Sequence, residues 1–408
     1  MIPAQNLPKK AANPLDLLAG VRILDLTTSI AGPAATQLLG DLGASVVKIE
    51  RPRGGDDART WGPPFLDGES LWFTSVNRNK QSLTLDLGCD TGYALFIRLV
   101  AKADVVVVNL VIRAQKKLRV DYESLKAVNP TLVHVSITGF GLQGRRANHA
   151  CYDLIAEGYS GIMDLTGEPS SGPQKVGAPA ADLLAGSDAA LATVAALYRR
   201  QRDHTGCQVD ISMVESMTRF VAPRIAPYLG SGEQPSRSGG RDSVIAIYQV
   251  FETADLPITL GLGNDAIWRR FWTAVGQPGF GVDEMYSTNA LRREHRARIV
   301  AEISMVLAER QREEWLEIFE RAGVPAGPIY RVADVTSDAD LLERKLFYSV
   351  DRAGISVPQI GLGIHFDGRS EGCAAPPPKL GENTEFVLKD WLGAADDEIA
   401  QLRNNRAI

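Results

Sequence analysis

The chain has 408 residues, with 44 basic and 49 acidic side chains and a formal net charge of -5. With 45% hydrophobic and 23% charged residues it has the composition of a globular protein that buries a large core, in roughly two to three domains. The mild acidity gives no electrostatic reason to bind nucleic acid or anionic lipid, and no uncharged apolar stretch reaches the roughly 18 residues of a membrane span.

Residues 1–18 are rich in Pro, Asn and Lys without an apolar segment, so no secretory signal is expected. Four scattered cysteines (Cys89, Cys151, Cys207, Cys373) include no CxxC pair, which fits reduced thiols in the cytoplasm. The five histidines show neither HxxxH nor HExxH spacing, so no metal site is expected.

In chain order, residues 21–27 (VRILDLT) read as a buried strand, followed by a helix with Pro33 in its first turn and Gly43 at its end. Residues 44–50 (ASVVKIE) read as the next strand, completing a right-handed parallel βαβ unit. A helix over 92–103 leads to a strand at 103–110 (ADVVVVNL), and a helix over 122–128 to a strand at 131–138 (TLVHVSIT). A long helix over 183–202 precedes a strand at 208–213. Strands alternating with helices predict a doubly wound α/β sheet.

Residues 230–243 (GSGEQPSRSGGRDS) are Gly/Ser-rich and mark a linker. Beyond it the pattern predicts strands at 245–251 and 258–262 and helices at 266–275, 290–309 and 313–322. Residues 220–330 thus read as a smaller α+β domain. Residues 1–219 and 331–408 form the large one, the C-terminal segment returning to it.

The turn after the first strand lacks GxGxxG, and Pro33 sits where a pyrophosphate would approach the backbone. A nicotinamide oxidoreductase is therefore disfavoured. GxxxxGK[ST] and GxSxG are also absent.

Asp182, set among Gly177, Ala178, Pro179, Ala180 and Ala181 ahead of an apolar helix, admits two compatible readings. It is an N-cap, or it is a carboxylate held ionised by a helix N-terminus and used as a nucleophile on a carbonyl. Asp153 is a second candidate acid, with a loop or cap role as the alternative. Trp61 reads as pocket lining or as packing. Arg51, Arg53, Arg78 and Lys80 follow the second strand and are expected near the ligand-binding edge of the sheet. Cys151 has no His partner by motif and is not read as a nucleophile.

These segments resemble the class III CoA-transferases, which include formyl-CoA transferase, carnitine CoA-transferase and α-methylacyl-CoA racemase. The resemblance runs from about Leu18 to Leu388. It is carried by LAGVRILDLTTSIAGPAATQLLGDLGASVVKIERP, the Trp61 loop, NRNKQSLTLDL, Asn109, ITGFG, the Tyr152-Asp153 pair, the stretch around Asp182, AGVPAGPIY and PPKLGENTEFVL. It implies a Rossmann-like large domain completed by the C-terminal segment, a small domain, and an obligate homodimer of interlocked chains.

The resemblance further implies that Asp182 is the nucleophile, forming an acyl-aspartyl anhydride and then an aspartyl-CoA thioester, with Tyr152 and Asp153 beside it. Tyr152 occupies the place of the racemase histidine, which points to the transferase branch; a racemase or a non-catalytic CoA binder are the alternatives. Coenzyme A enters as acyl-CoA, with a small carboxylic acid as co-substrate and no metal or nicotinamide. The family's CoA contacts fall on Ala31, Arg51, Leu85 and Asn109, with Lys117 near a basic position for a phosphate. Two features depart from the family. Leu110-Val111-Ile112-Arg113 stands where Phe-Arg-Pro-Gly is common after the Asn, and Ile30 replaces the glutamine of oxalate/formate enzymes. The small-domain glycine loop of those enzymes is not evident either, Gly239-Gly240 being at most a shortened counterpart.

Overall fold

A computed structural model describes residues 6–9, 15–369 and 375–408. Cys373 and most of the 1–18 segment lie outside the described residues. The chain divides into two compact units. One comprises Met1–Ile162, Lys175–Ser231 and Asp338–Ile408, and the other comprises Met163–Gln174 and Gly232–Ser337.

The large unit is built on six parallel strands: β1 (Arg22–Asp25), β2 (Ser45–Glu50), β3 (Lys80–Thr84), β4 (Val105–Val108), β5 (Val133–Thr138) and β6 (Cys207–Ser212). Their order is β3-β2-β1-β4-β5-β6, the doubly wound arrangement in which the chain reverses direction across the sheet beside β1. β3 escapes the hydrophobic pattern because it is an edge strand with the sequence KQSLT. Its outer backbone is covered by the C-terminal segment. The Ser82 N–H donates to Asn383 Oδ1 (3.0 Å), the Thr84 N–H to Thr384 Oγ1 (3.2 Å), and the Asn383 N–H to the Ser82 carbonyl (3.0 Å). An edge left open would invite pairing with another chain.

Successive strand residues point to opposite faces, and each face has its own core. On one face, Leu24, Val47, Leu83, Val106 and Val108 pack against helices α2 (Asp90–Val100), α10 (Thr384–Leu392) and α11 (Asp396–Asn404) through Phe96, Leu99, Leu388, Trp391 and Leu402. On the other, Ile23, Val46, Val105, Val107 and Val135 meet α1 (Ala31–Asp41), α4 (Ala180–Asp203) and α5 (Met213–Phe220). Each fully buried Leu, Val or Phe contributes about 1.5–3 kcal/mol relative to exposure.

The second face is lined by small residues. Ala181, Ala185 and Ala189 of α4 are all buried, and a Cβ built on Gly186 would lie 2.7 Å from the Ala31 carbonyl oxygen. The glycine therefore lets the start of α1 approach the α4 backbone. Alanine-rich sequence gives α4 high helix propensity, and it ends at His204 in the left-handed conformation (φ 51), with Arg200 and Arg202 in its last turn. Among the described residues α4 is the one helix long and apolar enough by composition to cross a membrane, although the sequence led us to expect none; its alanine face is a packing surface for α1.

α6 (Ala222–Ser231) continues directly from α5 and belongs to the large unit, so the small unit's main segment starts at Gly232 rather than at 220. It extends to Ser337 rather than 330 and includes Met163–Gln174, which the sequence reading placed in the large domain. Strands β7 (Tyr248–Phe251), β8 (Ile258–Gly261) and β9 (Ala326–Pro328) form an antiparallel sheet in this unit. Helices α7 (Asp265–Ala274), α8 (Arg296–Leu307) and α9 (Arg312–Ala322) supply Trp268, Phe271, Trp272, Ile303 and Phe319 to its core. The predicted 290–309 helix is interrupted at His295, which caps a short preceding helix. Strands β10 (Phe347–Arg352) and β11 (Ile355–Ile360) make a hairpin in the large unit that the sequence reading did not identify.

Candidate active site

In a doubly wound sheet, ligands bind outside the carboxyl ends of the strands where the strand order reverses. Here that point lies between β1 and β4, whose following loops are tied together by Asn109. Its Oδ1 accepts from the Thr28 N–H (3.1 Å) and its Nδ2 donates to the Thr28 carbonyl (2.7 Å). Ala31 opens α1 beyond β1 and is buried. Arg51 and Leu85 each directly follow a strand, β2 and β3, and the Leu85 N–H donates to the Glu50 carbonyl at 2.8 Å. The exposed Arg51 guanidinium donates to the Gly55 carbonyl (2.8 Å) and pairs with Asp57. Four expected coenzyme positions thus stand at the carboxyl edge.

Lys117 is exposed on a short helix, Ile112–Leu118, formed by the segment that departs from the family pattern. Gln115 anchors this helix, donating to the Leu110 carbonyl (2.7 Å) and accepting from the Ser136 hydroxyl (3.2 Å). Trp61 packs beside Ile30, Ala34 and Val76 at the start of α1.

Arg78 and Lys80 do not join Arg51 at this edge, contrary to the expectation from sequence. They precede and begin β3, at its opposite end, and both are buried. Arg78 pairs with Asp41 (2.5 Å) and Lys80 with Asp25 (3.0 Å). Burial pushes Lys80 down to about 8 despite the Asp25 charge. Burial alone would raise Asp25, but Lys80, Lys48 and the hydroxyls of Thr27 and Thr36 hold it well below the carboxylate range. Lys48, also fully buried, donates to the Thr27 carbonyl (2.7 Å) and pairs with Asp56 (2.9 Å), whose other oxygen accepts from the Ser29 N–H. This network sets the path of the loop from β1 to Ala31.

Asp182 is not the N-cap of α4. Pro179 holds that position and has no side-chain acceptor, so Asp182 is the third helical residue. The cap comes from α3 (Asp153–Ser160). Asp153 Oδ1 accepts from the Ala181 N–H (2.8 Å) and the Asp182 N–H (3.2 Å), the two amides an N-cap side chain ordinarily satisfies. The Asp182 carboxyl is then left with no hydrogen-bond partner among the described residues. Burial, and secondarily the Asp153 charge, pushes it up to about 7. Burial therefore disfavours its charged form, where the sequence led us to expect a carboxylate held ionised by the helix terminus.

Cys151 stands close enough for Asp182 and Asp153 to act on it. Burial and these two charges push its thiol up to about 11, so it offers no thiolate at neutral pH. Tyr152 is the N-cap of α3 and is 66% exposed. One further acid was not singled out from sequence. Glu157, one turn beyond Asp153, is fully buried and accepts from the Val176 N–H at 2.9 Å. Its position four residues after Asp153 on a helix was the signal that could have found it.

Among the described residues no group of three or more His, Cys, Asp or Glu side chains is placed to hold a metal ion. A separate cavity of about 530 Å³ within the small unit is lined by Gly239, Gly240, Arg241, Tyr248 and Gly261, among others.

Comparison with known proteins bears on this constellation. A succinate–glutarate CoA-transferase of Agrobacterium fabrum is 37% identical over 380 residues, covering 91% of this chain and 95% of the relative. An acetyl-CoA:oxalate CoA-transferase of Acetobacter aceti is 32% identical, covering 95% and 98% respectively. The crystal structure of a CAIB/BAIF family protein from Brucella suis superposes with a TM-score of 0.81 at 37% identity, covering 93% of this chain and 100% of that one. The family model for CoA-transferase family III matches residues 18–384. The chain belongs to CoA-transferase family III, and it is an enzyme of that class.

Proposed function

We propose that this enzyme exchanges CoA between an acyl-CoA and a free carboxylic acid through covalent intermediates on Asp182, with dicarboxylates as its substrate class. The observation that carries this reading is the Asp182 carboxyl itself: desolvated, without a hydrogen-bond partner, and held in the first turn of α4. A carboxylate freed from hydrogen bonds and raised in basicity is a stronger nucleophile than a solvated one. The dicarboxylate class rests on two relatives, one named for succinate and glutarate and the other for oxalate.

The sequence of steps is balanced without metal or ATP. The Asp182 carboxylate attacks the donor thioester and expels CoA thiolate, leaving a mixed anhydride. The thiolate attacks the aspartyl carbonyl, releasing the donor acid and forming an aspartyl-CoA thioester. The acceptor carboxylate attacks that thioester and expels the thiolate again. The thiolate then takes the acceptor acyl group and restores the Asp182 carboxylate. Water must be kept from the anhydride throughout. In this reading Ala31, Arg51 and Leu85 border the CoA at the strand ends, Asn109 holds the loop that shapes its pocket, and Lys117 is a phosphate contact. Tyr152 and Asp153 flank the nucleophile.

We also propose a homodimer. Leu183, Leu191, Val194 and Tyr198 leave an exposed apolar stripe along α4, continued by Leu154, Ile155 and Tyr159 of α3. An apolar surface of this extent is ordinarily covered by a partner.

The test is mass spectrometry after incubation with succinyl-CoA or glutaryl-CoA. A CoA or acyl adduct on the Asp182 peptide, absent from Asp182→Ala, is expected. An unchanged adduct in that variant overturns the nucleophile assignment. Deuterium uptake at the α-carbon without acyl exchange would instead mark a racemase.

A further inference from the structure

Glu157 has no part in the covalent scheme, yet it is a carboxyl group with no solvent exposure, placed one helical turn from Asp153 on α3. Its Oε2 accepts from the Val176 N–H at 2.9 Å, and its Oε1 is buried with no donor to satisfy it. Asp153, in turn, accepts from the Ala181 and Asp182 amides. Two carboxyl groups on α3 therefore grip two points of the segment that delivers the nucleophile, Val176 ahead of α4 and Asp182 within its first turn.

We propose that Glu157 is a positioning residue that works in its neutral form, donating its proton from Oε1 to the Asp153 carboxylate and so locking the clamp that presents Asp182. The inference rests on Asp182 being the nucleophile. Asp153 acts on Glu157 both as a neighbouring charge and as a side-chain hydrogen-bond partner; with Glu157 fully buried and Asp153 half-buried, the pair does not hold two negative charges, so one proton stays between them. It belongs on Glu157, whose buried Oε1 otherwise meets no donor, whereas Asp153 already serves as acceptor for two amides. The unsatisfied Oε1 is then the hydroxyl oxygen and its orphaned state disappears. Burial, followed by the Asp153 charge, raises the Glu157 carboxyl above its ordinary value, while the Val176 N–H and the exposed Lys175 act in the opposite direction. The charged groups that bear on Glu157 are thus Asp153 on its own helix and Lys175 on the following loop.

Glutamine reproduces this neutral state: its amide NH₂ donates to Asp153 and its carbonyl accepts from Val176. Alanine does neither, and opens a buried void. Expected is a Glu157→Gln enzyme within about threefold of wild type in kcat, with a superimposable pH–rate profile. Glu157→Ala should lose kcat by about 10- to 100-fold with little change in KM for the acyl-CoA, the pattern of a misplaced reacting group. Thermal unfolding of both variants separates misfolding from misplacement. A Glu157→Gln enzyme that folds but is as impaired as the alanine variant, or whose pH profile is displaced, overturns the neutral clamp. A folded Glu157→Ala with wild-type kcat overturns the positioning role. Adduct mapping in Asp182→Ala runs alongside. If the adduct persists there, the nucleophile assignment has failed; if it vanishes there and Glu157→Ala reacts normally, only the present inference has failed.

Discussion

Asp153 accepts hydrogen bonds from the amides of Ala181 and Asp182 through a single carboxylate oxygen, and its negative charge also raises the pKa of the Asp182 side chain it holds in place. One residue therefore anchors the first turn of α4 and makes the neighbouring carboxyl more basic. The two effects are separable, because an amide oxygen can accept the same bonds without carrying charge.

The first prediction concerns pH. With Asp182 raised to about 7 and required as its anion, acyl transfer should rise with pH through about 7 and level off above it. Asp153→Asn keeps an acceptor for α4 but removes the like charge, so the rise should move to lower pH. Single-turnover thioester consumption measured across the range from about pH 5 to pH 9 checks both. A flat profile in the wild type would show that Asp182 does not titrate in the reaction.

Stability should respond in the opposite sense. The folded state favours protonated Asp182, and the unfolded state releases that proton near 3.8. Stability from this group is thus highest below the unfolded value, falls as pH rises from about 4 to about 7, and stays low above. Asp182→Asn removes the ionisation, and the free protein at pH 8 should gain about 1–3 kcal/mol. Urea unfolding at two pH values reads the difference. A variant less stable than wild type at high pH would contradict the desolvation account.

Gly186 tests the contact that brings α1 to the nucleophile. It lies one turn beyond Asp182, and any Cβ there meets the Ala31 carbonyl oxygen at 2.7 Å and Ala34 Cβ at 3.3 Å. Gly186→Ala should displace α4 from α1, costing about 1–3 kcal/mol of stability and lowering kcat. A fully active, equally stable variant would mean that this approach is not needed.

The dimer proposal turns on the α4 stripe. Leu191 and Tyr198 are 69% and 64% exposed in the single chain, one above the other at two-turn spacing. Leu191→Glu with Tyr198→Glu should yield monomers in sedimentation velocity while leaving the helix intact by circular dichroism. A dimer that persists unchanged would place the interface elsewhere.

Local sequence determined much of the large unit. The runs at β1, β2, β4 and β5 are rich in Val, Ile and Leu, which marks each as a strand, and Pro33 and Gly43 bracket α1 by backbone chemistry alone. Motif order along the chain singles out Asp182, Asp153 and the strand-end positions as candidates. Tertiary structure decided the rest, because each remaining feature depends on partners distant in sequence. β3 is polar and becomes a strand by pairing with β2 and by donating backbone hydrogen bonds to the side chains of Asn383 and Thr384. Lys80, Arg78 and Lys48 look like surface cations until Asp25, Asp41 and Asp56 are brought to meet them. Asp182 reads as a cap by composition, yet Asp153 does the capping, and only burial shows that its charge is disfavoured rather than favoured. Propensity and periodicity report a residue's own preference; a carboxyl's basicity is set by what surrounds it, and that is known only once the chain has folded.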